Sequence, residues 1–215
     1  VKTFRHDWLA PKIVLPMDYD SEGKRFYTLP SGLPAYSVTT KLQPLSKGYI
    51  DRWKARQGEK KAAAITKQAG IRGTTIHKLC EQHLLNRPID KVSSFDRATF
   101  KQIRLLLDHY VDDIRAIEYQ LFCEQLLVAG TTDCIANWAA KLSIIDFKTA
   151  KRARDDYLSY CMQATAYAHM ANNLYNLQIE QCVVVIAIDH DLPKVLRFPT
   201  DKYHKQMLSI MGQKQ

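Results

Sequence analysis

Residues 183–188 read Val-Val-Val-Ile-Ala-Ile, an unbroken apolar run made mostly of β-branched side chains. A strand with one wet face alternates apolar and polar residues. This run does not alternate, which predicts a strand covered on both faces. Such a strand lies inside a sheet between two layers of helix, and joining it in parallel to an earlier strand needs a crossover helix. The preceding segment can supply one. Asp155 and Asp156 suit the positive end of a helix, and the uncharged stretch from Tyr157 to Ile179, rich in Ser, Gln, Thr and Asn, reads as a buried helix and not a membrane span. Further upstream, Leu121–Val128, Thr131–Trp138 and Leu142–Thr149 read as three strands with short connections. Before them, Phe100, Ile103, Leu106, Leu107, Tyr110, Ile114 and Ile117 recur at helical spacing from about Asp96 onward. Val195–Phe198 reads as another strand and Asp201–Met211 as a last helix. The order predicts an α/β fold with a mixed central sheet flanked by helices.

The N-terminal part reads differently. Pro11, Pro16, Pro30 and Pro34, with Gly23 and Gly32 among them, predict a meandering arm with room for one short hairpin. Ser46 to Gln68 is helical in pattern, with Gly58 as a joint. Arg72-Gly73-Thr74 reads as a break, after which Thr74 or Thr75 would cap a helix through Leu85. The expected division is residues 1–70, an arm and a largely helical basic extension, and residues 71–215, the α/β core.

Charge follows that division. The chain holds 31 Lys and Arg against 22 Asp and Glu, a formal +9. From Val1 to Lys78 there are 15 basic and 6 acidic residues, so the whole surplus lies in the first third. A polyanionic partner is implied, nucleic acid ahead of membrane, although a merely soluble basic surface has the same composition. The five cysteines, Cys80, Cys123, Cys134, Cys161 and Cys182, form no C-x-x-C pair and read as reduced thiols of a soluble intracellular protein. A bacterial or phage-infected cytoplasm is expected ahead of a mitochondrion. Nothing here sets the oligomeric state, and the missing initiator Met suggests a piece of a longer chain.

The chemistry-bearing pattern is Asp133 followed by Asp146-Phe147-Lys148. If the second and third strands of the meander turn at Ala139-Ala140, the two carboxylates stand opposite each other, with Cβ atoms about 4.5–5.5 Å apart. Period-two alternation puts Lys148 on the same face as Asp146 and sends Ile145 and Phe147 into the core. Opposed carboxylates repel unless a cation lies between them, and a hard divalent ion such as Mg²⁺ or Mn²⁺ suits oxygen donors. Lys148 would then be free to meet phosphate charge, the requirements of phosphodiester hydrolysis. A surface salt-bridge trio is the plainer reading of the same residues.

These residues also carry a family resemblance. Asp133 with Asp146-Phe147-Lys148 resembles the signature of PD-(D/E)XK nucleases, with Thr132 where the nominal Pro would stand. Gly73-Thr-Thr-Ile-His77, with Glu81 one turn later, resembles the G-x-x-x-H helix of RecB-like nuclease domains, and Gln163-Ala-Thr-Ala-Tyr167 resembles their Q-x-x-x-Y helix. Tyr36 to Leu42 and Trp53-Lys-Ala-Arg56 resemble the upstream region of the mitochondrial genome maintenance exonucleases and related phage exonucleases. The resemblance implies a PD-(D/E)XK core in which His77, Asp133, Asp146 and the backbone carbonyl of Phe147 ligate the metal and Lys148 is the catalytic lysine. Gln163 and Tyr167 would touch nucleic acid. It further implies a Mg²⁺- or Mn²⁺-dependent exonuclease, with single-stranded DNA cut from an end. The absence of any cysteine after Cys182 argues against the iron–sulfur cluster of some relatives.

Around that set, Arg72, Thr149 and Lys151 are the expected phosphate contacts. Glu81 and Glu118 are weaker candidates, Glu81 for orienting His77. A structure-selective endonuclease on the same core is the nearest alternative. A non-catalytic nucleic-acid-binding module is another, though a retired site has no need to keep repulsive carboxylates together.

Overall fold

The computed structural model describes residues 2–212, so Val1 and residues 213–215 of the expected division lie outside the described residues. Three short strands come first: β1 (Met17–Tyr19), β2 (Arg25–Thr28) and β3 (Pro34–Ser37). Helices α1 (Val38–Gln57), α2 (Glu59–Leu84) and α3 (Ser94–Tyr110) follow. The meander β4 (Val111–Cys123), β5 (Val128–Trp138) and β6 (Lys141–Ala150) leads to α4 (Leu158–Tyr175) and β7 (Gln181–Ile188). β8 (Lys194–Pro199), a 3₁₀ turn at Thr200–Tyr203 and α5 (His204–Met211) complete the described chain.

The strands join in one mixed sheet, ordered β1-β2-β3-β5-β6-β7-β8, with β4 on β5. β6 and β7 are parallel, linked through α4 as a crossover requires. Every residue of β7 is buried. Its Val184 and Ile186 meet the core that includes Met162, Met170 and Tyr167 of α4. Val183 and Val185 meet Ile76 and Leu79 of α2 and Ile103 and Leu107 of α3. Helices thus cover both faces, as the apolar run predicts.

The N-terminal expectation needs correction. The chain begins with strands and not with a helical extension. β1–β3 join the main sheet through a parallel pairing of β3 with β5, Tyr36 with Val128 and Ser37 with Ala129. The prolines do not prevent this, because Pro34 occupies the first position of β3, where a missing N–H is tolerated. Residues before β1 are docked too: the Asp7 and Leu9 amides donate to the carbonyls of Ile114 and Arg115 in β4. The helical part starts at Val38, where the Ser37 hydroxyl accepts the Thr40 N–H.

Gly58, at φ 77, does separate α1 from α2. The expected break at Arg72-Gly73-Thr74 is absent, since Thr74 and Thr75 donate back to the carbonyls of Gly70 and Ile71 at 3.1 Å instead of capping a new helix. The helix expected to reach Ile117 ends at Tyr110, and β4 begins ten residues before the strand predicted at Leu121. Ile114 and Ile117 mimic a helical period because Asp113 takes φ 46 and the β4–β5 ladder shifts between Asp112 and Ala116.

Candidate active site at the open edge of β5

The β5–β6 hairpin has the predicted register. Cys134 pairs with Ile145, Ile135 with Ile144 and Trp138 with Lys141, and the turn residues Ala139 and Ala140 sit at φ 50 and 64. β4 pairs with β5 along one edge from Val128 to Trp138. Its opposite edge is shared, β3 taking Val128 and Ala129 and β6 taking Cys134 to Trp138. Residues 130–133 lie between these partners. The ring of Tyr167 fills part of this opening from α4. A Cβ on Gly130 would stand 3.0 Å from its Cε1 and 3.1 Å from its hydroxyl, so the close approach requires glycine.

Asp133 and Asp146 stand at the margin of the opening. Asp133 Oδ2 accepts the Phe147 N–H at 2.7 Å, and its Oδ1 lies 3.3 Å from His77 Nδ1. Phe147 therefore reaches Asp133 through its amide, whereas the role that the family resemblance implies for it is that of its carbonyl. Asp146 is fully buried. Its Oδ2 lies 2.5 Å from Lys148 Nζ, and its Oδ1 has no hydrogen-bond partner among the described residues. The Lys148 ammonium also faces the half-buried Tyr160 ring, 5.5 Å from its centroid. No sequence signal singled out Tyr160; only the strand-to-helix connection brings it there.

Glu118, a weak candidate on the sequence, is drawn into the cluster. Ile117 pairs with Cys134 and Tyr119 with Thr132, which sets Glu118 opposite Asp133. His77, Glu118 and Asp133 each offer a ligand atom within 4.8 Å of the others, a group that could hold a divalent cation. Glu81 follows His77 by one turn of α2, and its charge acts on Glu118.

Burial and neighbouring charge compete at each titratable group of the cluster. Burial pushes Glu118 up to about 7, reinforced by the charge of Asp133. Burial also raises Asp146, a rise that Lys148 offsets only in part. Burial opposes the His77 imidazolium, yet the charge and hydrogen bond of Asp133 outweigh it and bring His77 to about 9. Burial likewise opposes ionisation of Asp133, and His77 outweighs that, holding its carboxyl below the usual range. Nitrogen and carboxylate donors, together with the unpartnered Asp146 Oδ1, fit a hard divalent ion.

The remaining candidates divide. Tyr167 is 2% exposed and accepts a hydrogen bond from Gln163 Nε2 at 3.2 Å. Its ring packs against Gly130 of β5, while Gln163 keeps some exposure. Arg72 is ion-paired to Asp189, donates to Thr99 and lies over Phe95. Thr149 and Lys151 line a cavity of about 410 Å³ beside it. Lys151 also lines an adjoining cleft of about 550 Å³ with Tyr49, Trp53, Arg56, Arg152 and Arg154. Sequence reasoning anticipated a basic α1 with Tyr49 and Trp53 in it. It did not anticipate that the segment after β6 would form the facing wall.

No model of a known protein family matches the chain. Its relatives include mitochondrial genome maintenance exonuclease 1 of Xenopus tropicalis, 27% identical over 177 residues that make up 75% of this chain and 51% of the relative. The Mus musculus protein is 27% identical over 175 residues, covering 73% and 51%. The Homo sapiens protein is 26% identical over 157 residues, covering 67% and 45%. The chain thus spans about half the length of the curated relatives it matches. Among solved structures, SSO0001 superposes loosely, with a TM-score of 0.43 at 12% identity over 82% of this chain and 72% of that one. A Eubacterium rectale protein gives a TM-score of 0.36, also at 12% identity, over 80% and 64%. Among the described residues no helix is long and apolar enough to cross a membrane. By sequence, the chain is a distant homologue of mitochondrial genome maintenance exonuclease 1, a homology that implies the PD-(D/E)XK family.

Proposed function

We propose that the chain is the nuclease core of a divalent-metal-dependent DNA exonuclease, hydrolysing phosphodiester bonds of single-stranded DNA from an end. The observation that carries this reading is the convergence of His77, Asp133, Asp146 and Lys148 at the open edge of β5. The homology to exonucleases supports it.

His77, Asp133 and Asp146 would hold Mg²⁺ or Mn²⁺. When bound, that ion supplies Lewis acidity at a phosphoryl oxygen and makes water a stronger nucleophile at neutral pH. The protein's own groups do the rest. The Phe147 N–H fixes the Asp133 carboxylate so that it need not reorganise. Lys148, held between Asp146 and the Tyr160 ring, presents a fixed positive charge to the phosphate. Gln163, braced by Tyr167, offers a polar contact beside it.

Guidance of the substrate is proposed for the cleft bounded by Tyr49, Trp53 and Arg56 on one side and Lys151, Arg152 and Arg154 on the other. Backbone charge and aromatic stacking are what a sequence-tolerant single-strand binder uses. The α1 wall of that cleft would belong to a guiding part, residues 1–70, and its facing wall to the catalytic core, residues 71–215.

The test is digestion of end-labelled and circular single-stranded DNA with Mg²⁺, Mn²⁺ or EDTA. Loss of the linear substrate alone, only with metal, is expected. Digestion of circles would replace the exonuclease reading with an endonuclease one, and binding without cleavage would leave a nucleic-acid-binding module.

A further inference from the structure

We propose that Glu118 is a third carboxylate ligand of the cation, mounted on a strained backbone for that purpose. The assignment rests on the metal-dependent nuclease reading and adds a residue to it. Three observations converge on the side chain.

The first is position. Glu118 lies on β4 opposite Asp133 of β5, so two carboxylates face each other across adjacent strands, an arrangement that is unfavourable by itself. The second is the backbone. Glu118 sits at φ 50, a left-handed conformation uncommon for a residue other than glycine or asparagine. Its effect on the strand is visible in the packing. Ile117 enters the core beneath α2 and α3, whereas Tyr119 enters the opposite core beneath α4. Residues two apart on a regular strand share a face. Here the left-handed residue between them turns the alternation over and leaves its own side chain at the site. The third is convergence. Ligand atoms of Glu118, His77 and Asp133 come within 4.8 Å of one another from β4, α2 and β5.

Strain and like-charge opposition recur where function offsets them. A cation on Glu118 and Asp133 turns the repulsion between them into shared coordination. It also adds a full negative charge to a donor set of hard atoms, which strengthens the hold on Mn²⁺ or Mg²⁺. Removing Glu118 should therefore weaken metal binding while making the metal-free protein more stable, two opposite effects that a merely structural residue would not produce.

The experiment titrates Mn²⁺ into the native chain, Glu118→Gln and Glu118→Gly by calorimetry, and melts each in EDTA and in Mn²⁺. Glu118→Gln is expected to bind Mn²⁺ at least about tenfold more weakly than native protein and to melt higher in EDTA. Glu118→Gly, which also relieves the left-handed strain, is expected to melt roughly 1–3 °C higher again in EDTA. In both variants the rise in Tm caused by Mn²⁺ should shrink. Native-like Mn²⁺ affinity in Glu118→Gln would overturn the assignment, as would a Glu118→Gly protein that melts below Glu118→Gln in EDTA. If the native chain itself neither binds Mn²⁺ nor cuts DNA, the nuclease reading falls and the ligand assignment falls with it. Normal native binding and cutting beside an unaffected Glu118→Gln removes Glu118 alone.

Discussion

Asp133 uses both carboxylate oxygens on neighbouring elements: Oδ2 accepts the Phe147 amide of β6 at 2.7 Å and Oδ1 faces the His77 ring of α2 at 3.3 Å. The residue is thus a structural clasp as well as a candidate ligand, and two substitutions separate the roles. Asp133→Asn keeps an oxygen for the Phe147 N–H and removes the charge. Its melting temperature should stay close to native while DNA cleavage falls by roughly 100-fold or more. Asp133→Ala leaves that N–H without its acceptor and should cost a further 1–3 kcal/mol or so in denaturant unfolding. Equal stability of the two variants would show that the clasp does not matter.

Lys148 and Asp146 form a pair in which the carboxylate is fully buried. Lys148→Ala should abolish cleavage and also destabilise the fold, because it leaves a buried carboxylate without its cation, a loss of about 3–5 kcal/mol where such pairs are broken. Asp146→Asn in the same chain should restore much of the stability and none of the activity. A double variant no more stable than Lys148→Ala would mean that Asp146 finds another partner.

Gly130 bears on the site through packing alone. Adding a methyl group pushes against the Tyr167 ring, which is buried in the α4-side core and cannot easily retreat. Gly130→Ala should lose about 1–3 kcal/mol by overpacking. The displaced Tyr167 would carry Gln163 with it, so kcat should fall as well. Native stability and turnover in this variant would show that the ring can move aside.

What could be read from the sequence follows from how local each signal was. The register of the Ala139-Ala140 hairpin depends on a short turn and on alternation, both visible in adjacent residues, and it brought Asp133 and Asp146 together correctly. The parallel placement of β7 followed from its lack of polar positions. Glu118 was harder, because its orientation depends on a left-handed backbone that composition does not announce. The surroundings of Arg72 were equally hidden, because its partner Asp189 follows β7, far away in sequence, and is evident only in three dimensions. The arm's prolines and glycines allowed one short hairpin, but the joining of β1–β3 to the main sheet was not legible because it runs through a β3–β5 pairing far away in sequence.

His83 makes stability depend on pH away from the site. It is buried with Nε2 2.7 Å from Asp108 Oδ1, and burial depresses its pKa more than Asp108 raises it. The folded state therefore binds its proton less readily than the unfolded state. Its stabilising contribution is present above the ordinary histidine pKa, near 6.5, and is lost as pH falls through the lower folded value. The melting temperature should drop on acidification below about pH 6.5, and His83→Gln, which keeps a polar group near Asp108, should flatten that part of the profile. An unchanged slope in the variant would assign the acid sensitivity to other groups.

The cleft between α1 and the segment after β6 separates binding from turnover. Arg56 lies on α1, whereas Lys151 and Arg154 follow the strand that carries Lys148, yet all three line the same 550 Å³ opening. If that opening guides DNA, neutralising Arg56, Lys151 and Arg154 together should weaken single-strand binding. The slope of log K against log salt should become shallower by about 0.7 for each phosphate that is no longer neutralised. The ion pairs and hydrogen bonds that hold Asp133, Asp146 and Lys148 run to other residues, so single-turnover cleavage of fully bound DNA should remain near native. Binding is read by fluorescence anisotropy across a salt series and cleavage by rapid quench at saturating protein. A salt slope that does not change would remove the cleft from the DNA path. A turnover that falls as far as the affinity would mean that these residues position the scissile phosphate and not merely the strand that leads to it.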